Sequence, residues 1–107
     1  MTQALGLAMR AQKLVIGTEL VIKGLQNNKI KLVVLSKSAS NNTKKLVTDK
    51  SSYYKVKVIE IDDFDLNNSI GKTNIKVLGV VDDGFKEMLL RKKGMWYYAK
   101  QTNKKRE

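Results

Sequence analysis

Leu32-Val33-Val34-Leu35 is an unbroken apolar run of strand length, bounded by Lys31 and Ser36. A strand wetted on one face alternates apolar and polar side chains. A run without alternation fits a strand covered on both faces. A chain of 107 residues is long enough for one domain with one core and too short for two. That single core must therefore lie on both sides of a sheet, and the neighbouring segments have the spacing to supply it. Leu5, Leu7, Ala8, Met9 and Ala11 mark a short amphipathic helix with Arg10 and Lys13 on its open side. A second helix runs from Thr18 to about Asn27, where Asn27-Asn28 makes a turn. Residues 37–43 form a polar loop able to cap a third helix over about 42–54, with Leu46, Val47, Lys50 and Tyr53-Tyr54 at helical spacing. Tyr53 and Tyr54 are expected to pack in or near the core. Residues 56–61 read as a strand, and a short helix from Asp62 ends near Ser69-Ile70-Gly71. Residues 75–81 read as another strand, and Asp82-Asp83-Gly84 turns into a last helix over about 84–92. Strands alternating with helices in this way imply an α/β layered domain.

The stretch from Leu14 to Leu25 combines an apolar lead-in, a glycine turn at Gly17 and a helix start. Thr18 reads as the N-cap, since its hydroxyl can accept a bond from a first-turn amide. Glu19 sits where the helix dipole favours a carboxylate. Gly24 is a poor helix former, which points to close approach of a neighbouring backbone. In layered sheets, ligands sit outside one end of the strands, among loops and helix starts. Three polar segments could gather there: Gly17-Thr18-Glu19, the 37–43 loop with Lys37, and Lys72-Thr73-Asn74.

Charge narrows the partner. There are 21 Lys and Arg against 10 Asp and Glu, a net +11. Residues 91–107 carry seven bases and one acid, and residues 1–90 carry 14 bases and nine acids. Both parts are basic, which favours an anionic polymer as partner, RNA ahead of DNA or a membrane surface. The plain alternative is a lysine-rich protein whose charge serves solubility. The chain has no histidine and no cysteine. The usual general base, the Ser-His-Asp triad, thiolate metal sites and most zinc sites are thereby removed. The carboxylates at 62–65 read as a capped acidic helix start rather than a cation site. No catalytic residue, metal or cofactor is expected. No apolar stretch approaches membrane-spanning length, and the N-terminus lacks the charged region of a signal peptide; a cytoplasmic protein is expected.

A series of short motifs carries a resemblance. In order come Gly6-Leu7-Ala8-Met9-Arg10-Ala11, Lys13-Leu14-Val15, Gly17 and Glu19-Leu20-Val21. They are followed by residues 29–35, Ala39-Ser40-Asn41-Asn42-Thr43-Lys44-Lys45, Asp49-Lys50-Ser51, Tyr53-Tyr54, Ile70-Gly71-Lys72 and Asp82-Asp83-Gly84-Phe85. Over about residues 4–90 the chain resembles the bacterial YlxQ-like ribosomal proteins, a branch of the kink-turn RNA-binding superfamily that includes ribosomal protein L7Ae. The resemblance implies a three-layer α-β-α sandwich around a small four-stranded mixed sheet. It implies an RNA-binding domain over 1–92; residues 93–107 lie outside the resemblance and read from their own composition as a basic, aromatic-containing tail. It also implies RNA binding, in association with the ribosome and its proteins, by the helix start after Gly17 and the loop before the last strand. By position, Gly17, Thr18, Glu19 and Lys23 fall on the helix start, with Lys13 and Lys37 as flanking cations. Gly71, Lys72, Thr73 and Asn74 fall on the second loop. Leu20 stands where kink-turn binders place a polar residue, Thr73-Asn74 stands where they often carry an apolar ridge, and Gln12 stands where the branch often has glycine.

Taken without the resemblance, Gly17 is a turn glycine, Lys23 a solvated lysine and Thr43 part of a helix cap. A protein-interaction module using the same loops is the rival reading. An enzyme is the weakest, since only carboxylates, Lys and Tyr remain as proton carriers.

Overall fold

The computed structural model describes residues 2–91. Helix α1 spans Thr2–Arg10, strand β1 Leu14–Ile16, α2 Thr18–Gln26, β2 Leu32–Ser36, α3 Asn41–Tyr53, β3 Lys57–Ile61, α4 Asp63–Ile70 and β4 Val77–Val80. A fifth helix, α5, covers 83–91. The strands form one sheet in the order β1-β4-β2-β3. β4 is antiparallel to both β1 and β2, and β2 is parallel to β3.

Every residue of β2 is buried, as its unbroken apolar run requires. Its side chains alternate between two layers. Leu32 and Val34 face α1, α4 and α5, with Ala4, Leu5, Leu66, Ile70, Leu78 and Leu89. Val33 and Leu35 face α2 and α3, with Val21, Leu25, Ala39, Val47 and Val77. The architecture is the three-layer sandwich around a four-stranded mixed sheet. β1, read from the sequence as a lead-in, is a three-residue strand paired with β4.

Three glycines set how closely the layers approach. Gly6 of α1 lies against α4, where an added Cβ would stand 3.3 Å from the Ser69 carbonyl oxygen. Gly24 of α2 and Gly79 of β4 form a slot for Ile30. A Cβ at either would lie 2.7 Å from Ile30 Cδ1, so Gly24 meets a side chain rather than the neighbouring backbone expected from sequence.

Ser40 caps α3 by accepting from the Thr43 amide at 3.1 Å, and Asp62 caps α4 by accepting from the Phe64 amide at 3.2 Å. Gly71 ends α4 in the left-handed region at φ 69°. The start of α2 corrects the sequence reading. Its N-cap is Gly17, at φ 105° and ψ 147°, with no side-chain cap, and Thr18 is the first helical residue. The Gly17 amide still extends the sheet by donating to the Val77 carbonyl, while its own carbonyl accepts from Val21. One residue thus serves as strand end and helix cap, and positive φ permits that reversal at low cost only for glycine. Tyr53 is a second correction. It is 77% exposed at the end of α3, and only Tyr54 packs, half-buried, against the core. Leu7 and Leu46, expected on apolar faces, are also exposed.

Candidate nucleic-acid interface

β1, β2 and β3 run in one direction and β4 runs against them. The segments after β1, β2 and β3 therefore meet the segment that enters β4, all at one end of the sheet. Backbone bonds tie them together. The Gly17 amide donates to the Val77 carbonyl at 2.9 Å, Ser36 to Lys76 at 2.8 Å and Lys37 to Ile61 at 2.8 Å. Gly17, Thr18, Glu19 and Lys37 lie along this edge. Lys23 follows Glu19 by four residues on α2, so the two side chains share a face. Both are exposed, and neither forms an ion pair among the described residues. Since Gly17 brings no capping side chain, the first-turn amides of α2 stay available to an acceptor. They form an anion-favouring helix end.

Lys72, Thr73 and Asn74, all exposed, lie on the loop that returns from Gly71 alongside α4 to β4. Asn74 holds a positive φ of 58°. With Asp62, Asp63, Phe64, Asn67 and Asn68 they line an open groove of about 570 Å³. Lys13 is not brought to this edge. It precedes β1, and its carbonyl accepts from the Val81 amide at the opposite end of the sheet.

Residues not singled out in the sequence hold the loop in place. Asn67, buried at 8% exposure, accepts from the Ile75 amide at 2.8 Å and donates to the Ile75 carbonyl at 3.1 Å. Its amide also donates to the Asp63 carbonyl at 3.0 Å. The Asp63 carboxylate accepts from the Ser36 hydroxyl at 2.6 Å and from Lys76 Nζ at 2.9 Å. The Ser36 hydroxyl bond, followed by that from Lys76, holds the Asp63 carboxyl below the usual carboxylate range. Asp63 and Asn67 thus join the end of β2, the start of α4 and the entry to β4. Two apolar side chains also project here. Leu20, in the first turn of α2, is 56% exposed, and Phe64, in the first turn of α4, is 71% exposed. Phe64 could have been noticed, because it falls off the Leu66 and Ile70 stripe that buries α4.

Of the three carboxylates at 62–65, Asp62 serves as a cap, Asp63 as an ion-pair partner, and Asp65 lies exposed in the first turn of α4. Among the described residues no group of three or more His, Cys, Asp or Glu could hold a metal ion. No helix there is long and apolar enough to cross a membrane.

The family model of the ribosomal protein L7Ae/L30e/S12e/Gadd45 family matches residues 1–90. The chain belongs to that family. Within it, the chain is 50% identical over 82 residues to the RNA-binding protein YlxQ of Enterococcus faecium, covering 76% of this chain and 79% of that protein. It is 48% identical over 87 residues to the RNA-binding protein YlxQ of Bacillus subtilis, covering 80% and 87%. A solved structure of a Bacillus halodurans protein of unknown function superposes with a TM-score of 0.81 at 40% identity, covering 84% of this chain and 92% of that one. The Giardia lamblia 15.5kD RNA binding protein superposes at 0.69 with 14% identity, covering 84% and 78%. This last likeness is one of fold. The edge of Gly17, Glu19, Lys37 and the 72–74 loop is the candidate interface.

Proposed function

We propose that the chain is a non-enzymatic RNA-binding protein, acting with the ribosome in the cytoplasm. It recognises a structured, kink-turn-like RNA through the helix start after Gly17 and the loop 71–74. The observation that carries this reading is the convergence, at one end of the sheet, of a helix start without a side-chain cap and an exposed polar loop. That the Enterococcus and Bacillus relatives are named RNA-binding proteins supports it. A bent duplex exposes sheared G·A pairs, whose guanine N–H groups need an acceptor. Glu19 supplies one, and Lys23 can meet guanine O6/N7 or a phosphate. The α2 amides add donors for the backbone. Residues 93–107, outside the described residues, combine Trp96, Tyr97 and Tyr98 with five bases, a composition suited to unpaired nucleotides.

The test is binding of Glu19→Ala to a kink-turn hairpin and to a random single strand. The hairpin is expected to lose far more affinity. Equal losses on both would remove Glu19 from specific recognition. Exposed Leu20 and Phe64 favour a second reading, a protein-interaction module on the same edge. RNA that copurifies in a nuclease-free preparation, read from the absorbance ratio, separates the two.

A further inference from the structure

The end of the sheet opposite the candidate interface carries a cationic surface of its own. Lys13 precedes β1, and its carbonyl accepts from Val81. Lys31 precedes β2, and its amide donates to Val80 at 2.7 Å. Lys57 opens β3 in register with Leu32, and Lys29 and Lys55 each lie two residues upstream of these. From β1 to β3 the row crosses three strand spacings, roughly 14 Å. Lys13, Lys29, Lys55 and Lys57 are exposed. None of the five forms an ion pair among the described residues, where Lys44, Lys45 and Lys76 do.

The acids at this pole are Asp82 and Asp83, and Asp82 already accepts from the Phe85 amide at 3.0 Å. Five lysines against two aspartates leave +3. The candidate interface has Lys23, Lys37, Lys72 and Lys76 against Glu19, Asp62, Asp63 and Asp65, a balance of zero. Residues 2–91 hold 15 bases and nine acids, net +6, so these seven residues alone carry half of that excess, and Arg10 at the end of α1 adds to it. Tyr53, 77% exposed, stands two residues before Lys55, its ring edge-on to Tyr54 at 4.8 Å. Helices α1, α2 and α3 all end here, and a lysine beside a helix C-terminus is favoured for that reason alone. That accounts for one charge per helix and leaves Lys31, Lys57 and the exposed ring without a purpose.

We propose that this pole is a second RNA-binding face, which takes an unpaired segment through phosphate contacts to Lys13, Lys29, Lys31, Lys55 and Lys57 and through stacking on Tyr53. It rests on the reading that RNA is the partner, and it makes the protein a bridge between two RNA segments. A row of unpaired lysines with an open aromatic ring toward its β3 end tracks phosphates and stacks bases without reading sequence.

The test uses the full chain, a labelled oligouridine and a kink-turn hairpin, titrated across a salt series. The combined variant Lys13→Gln, Lys29→Gln, Lys57→Gln is expected to flatten the log–log salt slope for oligouridine by about 0.7 per lost phosphate contact. Tyr53→Ala is expected to weaken oligouridine binding roughly tenfold with its slope unchanged. Saturating hairpin is expected to leave oligouridine bound. An unchanged slope in the lysine variant, wild-type affinity in Tyr53→Ala, or displacement by the hairpin would each overturn the second face. So would absence of oligouridine binding by the wild type. Loss of hairpin preference in the wild type, with the oligouridine slope still dependent on the lysines, would sink the edge reading and leave this one standing.

Discussion

Asp63 links the local chemistry to the shape of the candidate interface. Its carboxylate is held by Ser36 and Lys76, so its pKa in the folded chain lies below that of an unfolded aspartate. Such a group adds stability that is present above the unfolded value and is lost as pH falls through the folded one. Stability is therefore expected to decline on acidification below the usual carboxylate range. Asp63→Asn should flatten that decline, as followed by urea midpoints at neutral and acidic pH. Asn67 makes a second, independent claim. Asn67→Ala removes both partners of the Ile75 backbone from a buried site, at a cost of about 1–3 kcal/mol, measurable by denaturant unfolding. Glu19 is exposed, so its removal should leave that midpoint unchanged. Its cost should appear in hairpin binding, at about 1–3 kcal/mol, or roughly 5- to 150-fold. The sequence showed Glu19 because a carboxylate beside a glycine turn is a local pattern. It did not show Asp63 or Asn67, whose partners Ser36, Ile75 and Lys76 are 27, 8 and 13 residues away. No local spacing rule pairs those positions.

Among the elements, legibility followed length and burial. β2 was plain, because a strand covered on both faces has to be apolar throughout. β1 is not legible as a strand, because three residues carry no periodicity; it exists through its ladder with β4. Threonine fits the cap role in general, which points to Thr18, whereas Gly17 takes that role while still paired to Val77. Helical spacing does not tell which of two adjacent tyrosines turns inward, and Tyr53 is the one that faces solvent. At the contact of α2 with β4, Ile30 fills the slot between Gly24 and Gly79. Gly79→Ala is expected to destabilise by about 1–3 kcal/mol through overpacking. Combined with Ile30→Ala, the loss should fall short of the sum of the single losses, because the two changes share one space. Thermal or urea unfolding of the four-member cycle measures this.

For the whole molecule, charge and shape are distributed differently. The edge that offers hydrogen-bonding geometry is electrically balanced, and most of the excess lies at the opposite pole and over 92–107, where six bases meet one acid. Replacing Lys104, Lys105 and Arg106 by alanine is expected to weaken binding to structured and random RNA by the same factor. It should also reduce the salt slope, since such charges act on phosphates without reading sequence. A change in the ratio of the two affinities would show that these residues discriminate. Composition made the basic character legible, but only the strand directions reveal that Lys13 lies at the far pole from Gly17.

Ile30 touches both the helix whose start lies on the candidate interface and the strand entered from the 71–74 loop. α2 cannot slide along its axis past β4 without driving that side chain out of its socket. Under the proposed reading, an RNA docking at this edge meets a fixed gauge rather than a pliable glove, and the adjustment falls to the RNA.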